Sequence, residues 1–169
     1  MKTLLIINST LDCGKSSLAK SIAENIDNSR VIHGDDLSIN IPNFTVYDEE
    51  KLLKCINLIA IDAIKSFESG VNLVIIDYVF ENPEQLLAFT GNFRSEVRLK
   101  VFYLYADLET IDARIRYRNR KKLEYEHKRT REILSVQEKY IKTDKLGQVI
   151  NTNLMNLDEL SIFLFNKLN

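Results

Sequence analysis

The chain has little of what staples or stiffens a small protein. Its two cysteines, Cys13 and Cys55, cannot build a disulfide framework, and neither stands at a zinc-type spacing from the two histidines. That pattern points away from a cross-linked secreted module and toward a reducing, cytoplasmic setting. Two prolines and five glycines leave no stretch that reads as a linker, and no repeat or low-complexity segment interrupts the 169 residues. No apolar run is long enough to span a bilayer. The opening MKTLLIIN is apolar only from Leu4 to Ile7, with no small-residue cleavage site behind it, so it reads as a first buried strand rather than a secretion signal. A net charge of −1 supplies no global field for nucleic acid or an anionic membrane. Arginine is missing altogether from Val31 to Phe93.

What is present is the mix of a soluble globular protein, 45% hydrophobic and 28% charged, in a length that suits one domain, residues 1–169. The apolar runs Thr3 to Asn8, Arg30 to Asp35, Val71 to Asp77, Val97 to Tyr105 and Gln148 to Asn151 read as five strands. Between them lie helical patterns. Lys15 to about Ile26 carries Leu18, Ile22 and Ile26 at four-residue steps. Asp48 to Glu68 has a full apolar stripe stopped by Gly70. Asn82-Pro83-Glu84 has the order of an N-cap, a first-turn proline and an early acid, and it opens a helix to about Phe89. Glu109 to Arg118, Leu123 to about Lys142, and Leu157 to Leu168 complete the set. Strict alternation of strand and helix predicts an α/β fold with a parallel sheet covered on both faces.

The first strand runs straight into INSTLDCGKSSLAKSI. A G-K-S at a strand-to-helix turn is where a phosphate cradle belongs, because backbone N–H groups and a helix N-terminus converge there. Ser9, Thr10, Leu11, Asp12, Cys13, Gly14, Lys15, Ser16 and Ser17 are the candidate nucleotide-binding residues. Lys15 would reach the β- and γ-phosphates, and the Ser16 hydroxyl would hold Mg²⁺. Ser9 replaces the first glycine of the pattern, and Asp12 places a carboxylate in a loop meant for anions. A loop side chain can face solvent, so the pattern accommodates it. Downstream, NLVIID ends an apolar strand on Asp77, a candidate metal acid of the Walker B form.

With STLDCGKS at 9–16, HGDDL at 33–37, VIIDYVF at 74–80, ARIRYRNR at 113–120 and VINTNLMNLDEL at 149–160, the chain resembles the P-loop kinases of the adenylate kinase-like group. It looks most like the antibiotic-phosphorylating, toxin-type and shikimate-kinase-type members. The resemblance spans nearly the whole chain in order. It implies a three-layer αβα sandwich, a five-stranded parallel sheet in the order 2-3-1-4-5, and a helical lid at about 114–131. It also implies ATP and Mg²⁺. One carboxylate after strand two would serve as base. Aligning on Gly34 selects Asp36, as in chloramphenicol phosphotransferase. Aligning on the Gly-Asp pair of sulfate-adenylyl and gluconate kinases selects Asp35. Asp36 is preferred, and in a strand only one of the two would face substrate. In the lid, Arg114 and Arg118 share a helix face and would stabilise charge on the transferring phosphoryl group, followed by Arg120, with Arg129 and Arg131 as further candidates. Asn151, Thr152 and Asn153 stand where such kinases contact adenine.

Kinases that phosphorylate nucleoside monophosphates grip the acceptor's phosphate with arginines in the region where this chain has none. Lys51, Lys54 and Lys65 lie on a helix whose other face is buried. The expectation is therefore a small acceptor with a hydroxyl group and little or no charge. Phe44 and Tyr47 are placed to contact it, with plain packing the weightier reading of both, and Tyr78 follows the Walker B acid. His33 and His127 show no ligand-like spacing and receive no role. Two rival expectations keep the fold. One is an ATPase or GTPase without a small acceptor. The other is a nucleic-acid end kinase or RNA-binding module, which requires a continuous basic surface from Arg114 to Arg131. The interspersed Asp112, Glu124, Glu126 and Glu132 weaken that last reading.

Overall fold

The computed structural model describes residues 1–118, the last by its backbone alone, and 123–168. Five strands form one parallel sheet: β1 (Lys2–Ser9), β2 (Ser29–His33), β3 (Leu73–Asp77), β4 (Val97–Tyr105) and β5 (Gln148–Asn151), in the spatial order β2-β3-β1-β4-β5. The helices are α1 (Lys15–Glu24), α2 (Gly34–Leu37), α3 (Glu49–Glu68), α4 (Pro83–Thr90), α5 (Leu108–Arg118), α6 (Leu123–Ile141) and α7 (Leu157–Leu168). No described helix is long and apolar enough to cross a membrane.

The period-2 rule explains the two faces. On β1, Leu4 and Ile6 point into one layer with Ile56, Ile59 and Ala60 of α3 and Phe89 of α4. Leu5 and Ile7 point into the other with Leu18 and Ile22 of α1, Ile111 and Ile115 of α5, and Leu160 and Leu164 of α7. All four β1 side chains are fully buried. Each removes about 1.5–3 kcal/mol worth of apolar surface from water, so a one-residue slip of this strand would be prohibitive. The helix starts follow local chemistry. Asp48 accepts from Lys51 N at 3.2 Å and Asn82 from Gln85 N at 2.9 Å, each satisfying an otherwise orphaned amide. Gly70, at φ 96°, lets the chain leave α3.

The C-terminal ends of the strands gather on one edge, tied by buried polar side chains. Asn8 donates through Nδ2 to the carbonyls of Phe80 (3.1 Å) and Leu146 (3.3 Å), and its Oδ1 accepts from Phe80 N at 2.9 Å. Gln137 of α6 donates through Nε2 to the carbonyls of Ser9 (3.4 Å) and Phe80 (3.0 Å) while its Oε1 accepts from the Tyr103 hydroxyl at 2.9 Å.

One expected element differs. Strand two does not run to Asp35. It ends at His33, and Gly34–Leu37 is one helical turn followed by a 3-10 turn over Ser38–Asn40. The reason is local. Gly34 packs where a Cβ would collide with the Tyr78 ring and with Ile59, and the Ser38 hydroxyl donates to the Asp35 carbonyl at 2.7 Å, closing the turn. Asp35 and Asp36 therefore do not alternate across a strand. They stand about 100° apart around a helical turn.

Candidate functional site

Loop 9–16 leaves β1 and enters α1 with two left-handed residues, Asp12 at φ 58° and Gly14 at φ 91°. Glycine enters that region freely, and aspartate is one of the few side chains that does so at modest cost. Ser9, at the position of the missing glycine, does not turn. It extends β1 and pairs with Leu104. Its hydroxyl accepts from Lys15 Nζ at 3.0 Å, and the Thr10 carbonyl accepts from the same ammonium at 2.8 Å. Lys15 is 9% exposed and makes no ion pair among the described residues. A largely buried ammonium held by neutral acceptors is an attractive partner for an anion. Asp12 corrects the expectation of a solvent-facing side chain: it is 7% exposed, because the tight left-handed loop closes over it. Cys13 is buried too, with its Sγ 3.3 Å from the Thr10 hydroxyl.

The loop opens on a cavity of about 680 Å³. Asp12, Cys13, Gly14 and Ser17 form one wall, Arg114 and Tyr117 of α5 a second, and Thr152 and Asn153 after β5 a third. Arg114 is fixed to that third wall by donating to Thr152 Oγ1 (3.3 Å) and to the Thr152 carbonyl (3.0 Å). Asn153 accepts from Asp107 N at 3.0 Å and donates to Asp107 Oδ2 at 2.7 Å, which locks the turn before α5 to the loop before α7. Asp107 also accepts from Thr110 N, and that bond holds its carboxyl below the usual range.

On the other side of the loop, the ladder sets the acids. Asp77 ends β3 directly between Ile7 of β1 and His33 of β2. It is buried, and its Oδ2 lies 2.8 Å from His33 Nδ1. Asp35 comes next, on α2. Its side chain reaches solvent at the surface but is flanked by protein, and this partial desolvation pushes its pKa above the ordinary carboxylate value. Lys15 works against the rise, Asp77 and Asp36 add to it, and His33 opposes it. Asp35 thus shares one electrostatic neighbourhood with Lys15 and Asp77.

The arginine-rich segment divides. Arg129 is buried and is paired with Glu81, the residue after VIIDYVF, and with Glu132 at 3.2 Å. Its guanidinium sits 5.2 Å from the Tyr47 ring centre, and the Tyr47 hydroxyl donates to Glu132 at 2.9 Å. Burial pushes the Glu81 carboxyl up, with Arg129 opposing. Arg131 reaches Asp112 at 3.3 Å, and His127 reaches the same acid at 2.6 Å. Arg120 and the guanidinium of Arg118 lie outside the described residues. Tyr78 is buried against Phe80, their ring centres 5.2 Å apart, and burial raises its hydroxyl pKa. Ser16 and Ser17 are exposed at the first turn of α1. Three residues at this edge had no sequence signal of their own: His33, Glu81 and Gln137. Only the position of His33, directly before Gly34-Asp35-Asp36, could have marked it.

No protein-family model matches the chain, and no curated relative matches it in sequence. Solved structures do match in fold. A sugar kinase from Janibacter superposes with a TM-score of 0.76 at 13% identity, covering 99% of this chain and 95% of that one. The tunicamycin resistance protein of Deinococcus radiodurans gives 0.72 at 13% identity over 99% and 96%. Shikimate kinase from Acinetobacter baumannii gives 0.64 at 17% identity over 100% and 96%. The chain shares the fold of these structures, with the expected strand order.

Proposed function

We propose that this chain is an ATP-dependent kinase that transfers the γ-phosphoryl group to a hydroxyl of a small, uncharged acceptor. The reading is carried by one observation: Lys15, Asp77 and Asp35 converge at the strand ends beside a loop that opens on a cavity walled by Arg114, Thr152 and Asn153. Lys15 would exchange the Ser9 hydroxyl and the Thr10 carbonyl for phosphate oxygens. Arg114 and the 152–153 loop would hold the nucleoside end. Asp35 would accept the acceptor's proton, and its raised pKa brings it closer to a useful base. Asp36, the next residue on the same turn, is assigned the lesser role.

A divalent cation fits the donors present. Among the described residues no group of three His, Cys, Asp or Glu forms a protein-only cage. The Ser16 hydroxyl and the Asp77 carboxylate are hard oxygen donors of the kind Mg²⁺ uses when phosphate and water supply the rest. Such an ion neutralises charge on the phosphate oxygens. Arg118 and Arg120 retain the proposed role at the transferring group.

The uncharged acceptor is supported by charge accounting. The one guanidinium that α6 brings to the region after β3, Arg129, is already matched by Glu81 and Glu132. Asp35 and Asp36 add negative charge there, which disfavours a phosphate or carboxylate on the acceptor. The test is nucleotide-dependent thermal shift on wild type and Lys15→Ala, then ADP release across a panel of alcohols, sugars and phosphorylated acceptors. Wild type should shift and the variant should not. Equal shifts, or turnover confined to phosphorylated acceptors, would sink the corresponding half of the proposal.

A further inference from the structure

His33 received no role from its spacing, yet it makes the one hydrogen bond that the buried Asp77 carboxylate has among the described residues. The contact is built into the sheet. The parallel register sets His33 directly opposite Asp77 at the end of both strands, and the same register sets Asp77 opposite Ile7, two residues before the phosphate loop begins. Asp77 is 7% exposed, and a buried carboxylate requires a donor. Because a carboxylate only accepts, the neutral imidazole must carry its proton on Nδ1. The imidazole is itself half open to water, on a groove of about 570 Å³ that it lines together with Ser16 and Ser17. His33 thus touches Asp77 and shares a groove with Ser16.

We propose that His33 is a positioning residue for the divalent-cation site. It holds Asp77 Oδ2, fixing the rotamer of the carboxylate and leaving the other oxygen for the ion. His33 acts through Asp77 rather than as a ligand, because a nitrogen donor suits Mg²⁺ poorly. The inference rests on the metal role given to Asp77 above, and it adds the residue that orients that acid. Outer-shell partners of this kind commonly change metal affinity by about 10–100-fold when removed.

The experiment titrates Mn²⁺ into the ADP-bound protein and reads free ion by electron paramagnetic resonance, with ADP affinity in EDTA measured alongside by calorimetry. The chains compared are wild type, Asp77→Asn, His33→Ala and His33→Asn. The Asn amide places an N–H donor where Nδ1 was. His33→Ala should weaken Mn²⁺ binding about tenfold or more, His33→Asn should restore it, and ADP affinity in EDTA should be the same in all four. Mn²⁺ affinity unchanged in His33→Ala but lost in Asp77→Asn would overturn the positioning role and leave the metal reading intact. Equal loss in the Ala and Asn variants would also overturn it, since the hydrogen bond would not be what matters. Wild-type Mn²⁺ affinity in Asp77→Asn would remove the metal reading itself.

Discussion

Asp35 and Asp36 are neighbours with the same side chain, and only their place on one helical turn distinguishes them. Asp35 feels the Lys15 ammonium and the Asp77 carboxylate, and its proton is held more tightly than in the unfolded chain. Asp35→Asn should lower turnover by about 10²–10⁴-fold, the usual worth of a general base, while Asp36→Asn should leave most of it. Steady-state kinetics on the two variants decides between them. The same shift has a sign for stability. Between the unfolded and folded pKa values of Asp35 the folded state binds more protons, so this group's contribution falls as pH rises through that window. Asp35→Asn should therefore raise the melting temperature at neutral pH and have little effect near pH 4, read by thermal denaturation at both. A residue that weakens the fold at neutral pH is the pattern expected of a functional acid.

At the scale of elements, α2 and α6 set the geometry that individual residues exploit. Gly34 lets α2 sit against Tyr78 and Ile59 with no room for a Cβ. Gly34→Ala should cost about 1–3 kcal/mol by overpacking. Because it displaces Asp35 but not Lys15, it should lower turnover more than nucleotide binding. Paired kinetic and calorimetric measurements on the variant would show the split. Helix α6 is anchored at Gln137, which holds the carbonyls of Ser9 and Phe80 and the hydroxyl of Tyr103. Gln137→Leu would leave the Tyr103 hydroxyl without its acceptor and take a donor from the Ser9 and Phe80 carbonyls, the latter keeping Asn8, and should destabilise the protein by about 1–3 kcal/mol in urea denaturation. It should also weaken nucleotide binding, since the Ser9 end of the loop loses its support.

Across the whole molecule, the sheet and both helical layers form one continuous architecture, and we propose that it unfolds as a single unit. Far-UV and near-UV circular dichroism should then give coincident transitions. Saturating nucleotide, at about 100 times its Kd, should add about 2.7 kcal/mol, which raises Tm by roughly 5–10 °C in a chain of this size. Carboxylates are interspersed among the described basic residues of α5 and α6, as in the groove that Asp112, Glu124 and Glu132 line with Arg116 and Arg131. Arg129, Arg131 and Lys128 are all matched by carboxylates. Any RNA affinity should accordingly be weak and should not outlast physiological salt, which filter binding across a salt series would report.

The amino-acid pattern determined the elements. Apolar residues at period two and near period four, the caps at Asp48 and Asn82 and the stop at Gly70 are all short-range, and they placed β4, β5 and α7 to the residue. The turn from Ser9 to Ser16 was legible for the same reason, since local patterns mark the strand before it and the helix after it. Relations between distant segments were decided only by the tertiary structure. His33 meets Asp77 because β2 and β3 are neighbours in that register, and Gln137 reaches Ser9 across 128 residues because α6 crosses the strand ends. Arg129 is matched by Glu81, 48 residues away, and not turned to a phosphate. Strand order and register are global minima over many buried contacts, so which of two adjacent acids faces the site cannot be read from the acids alone.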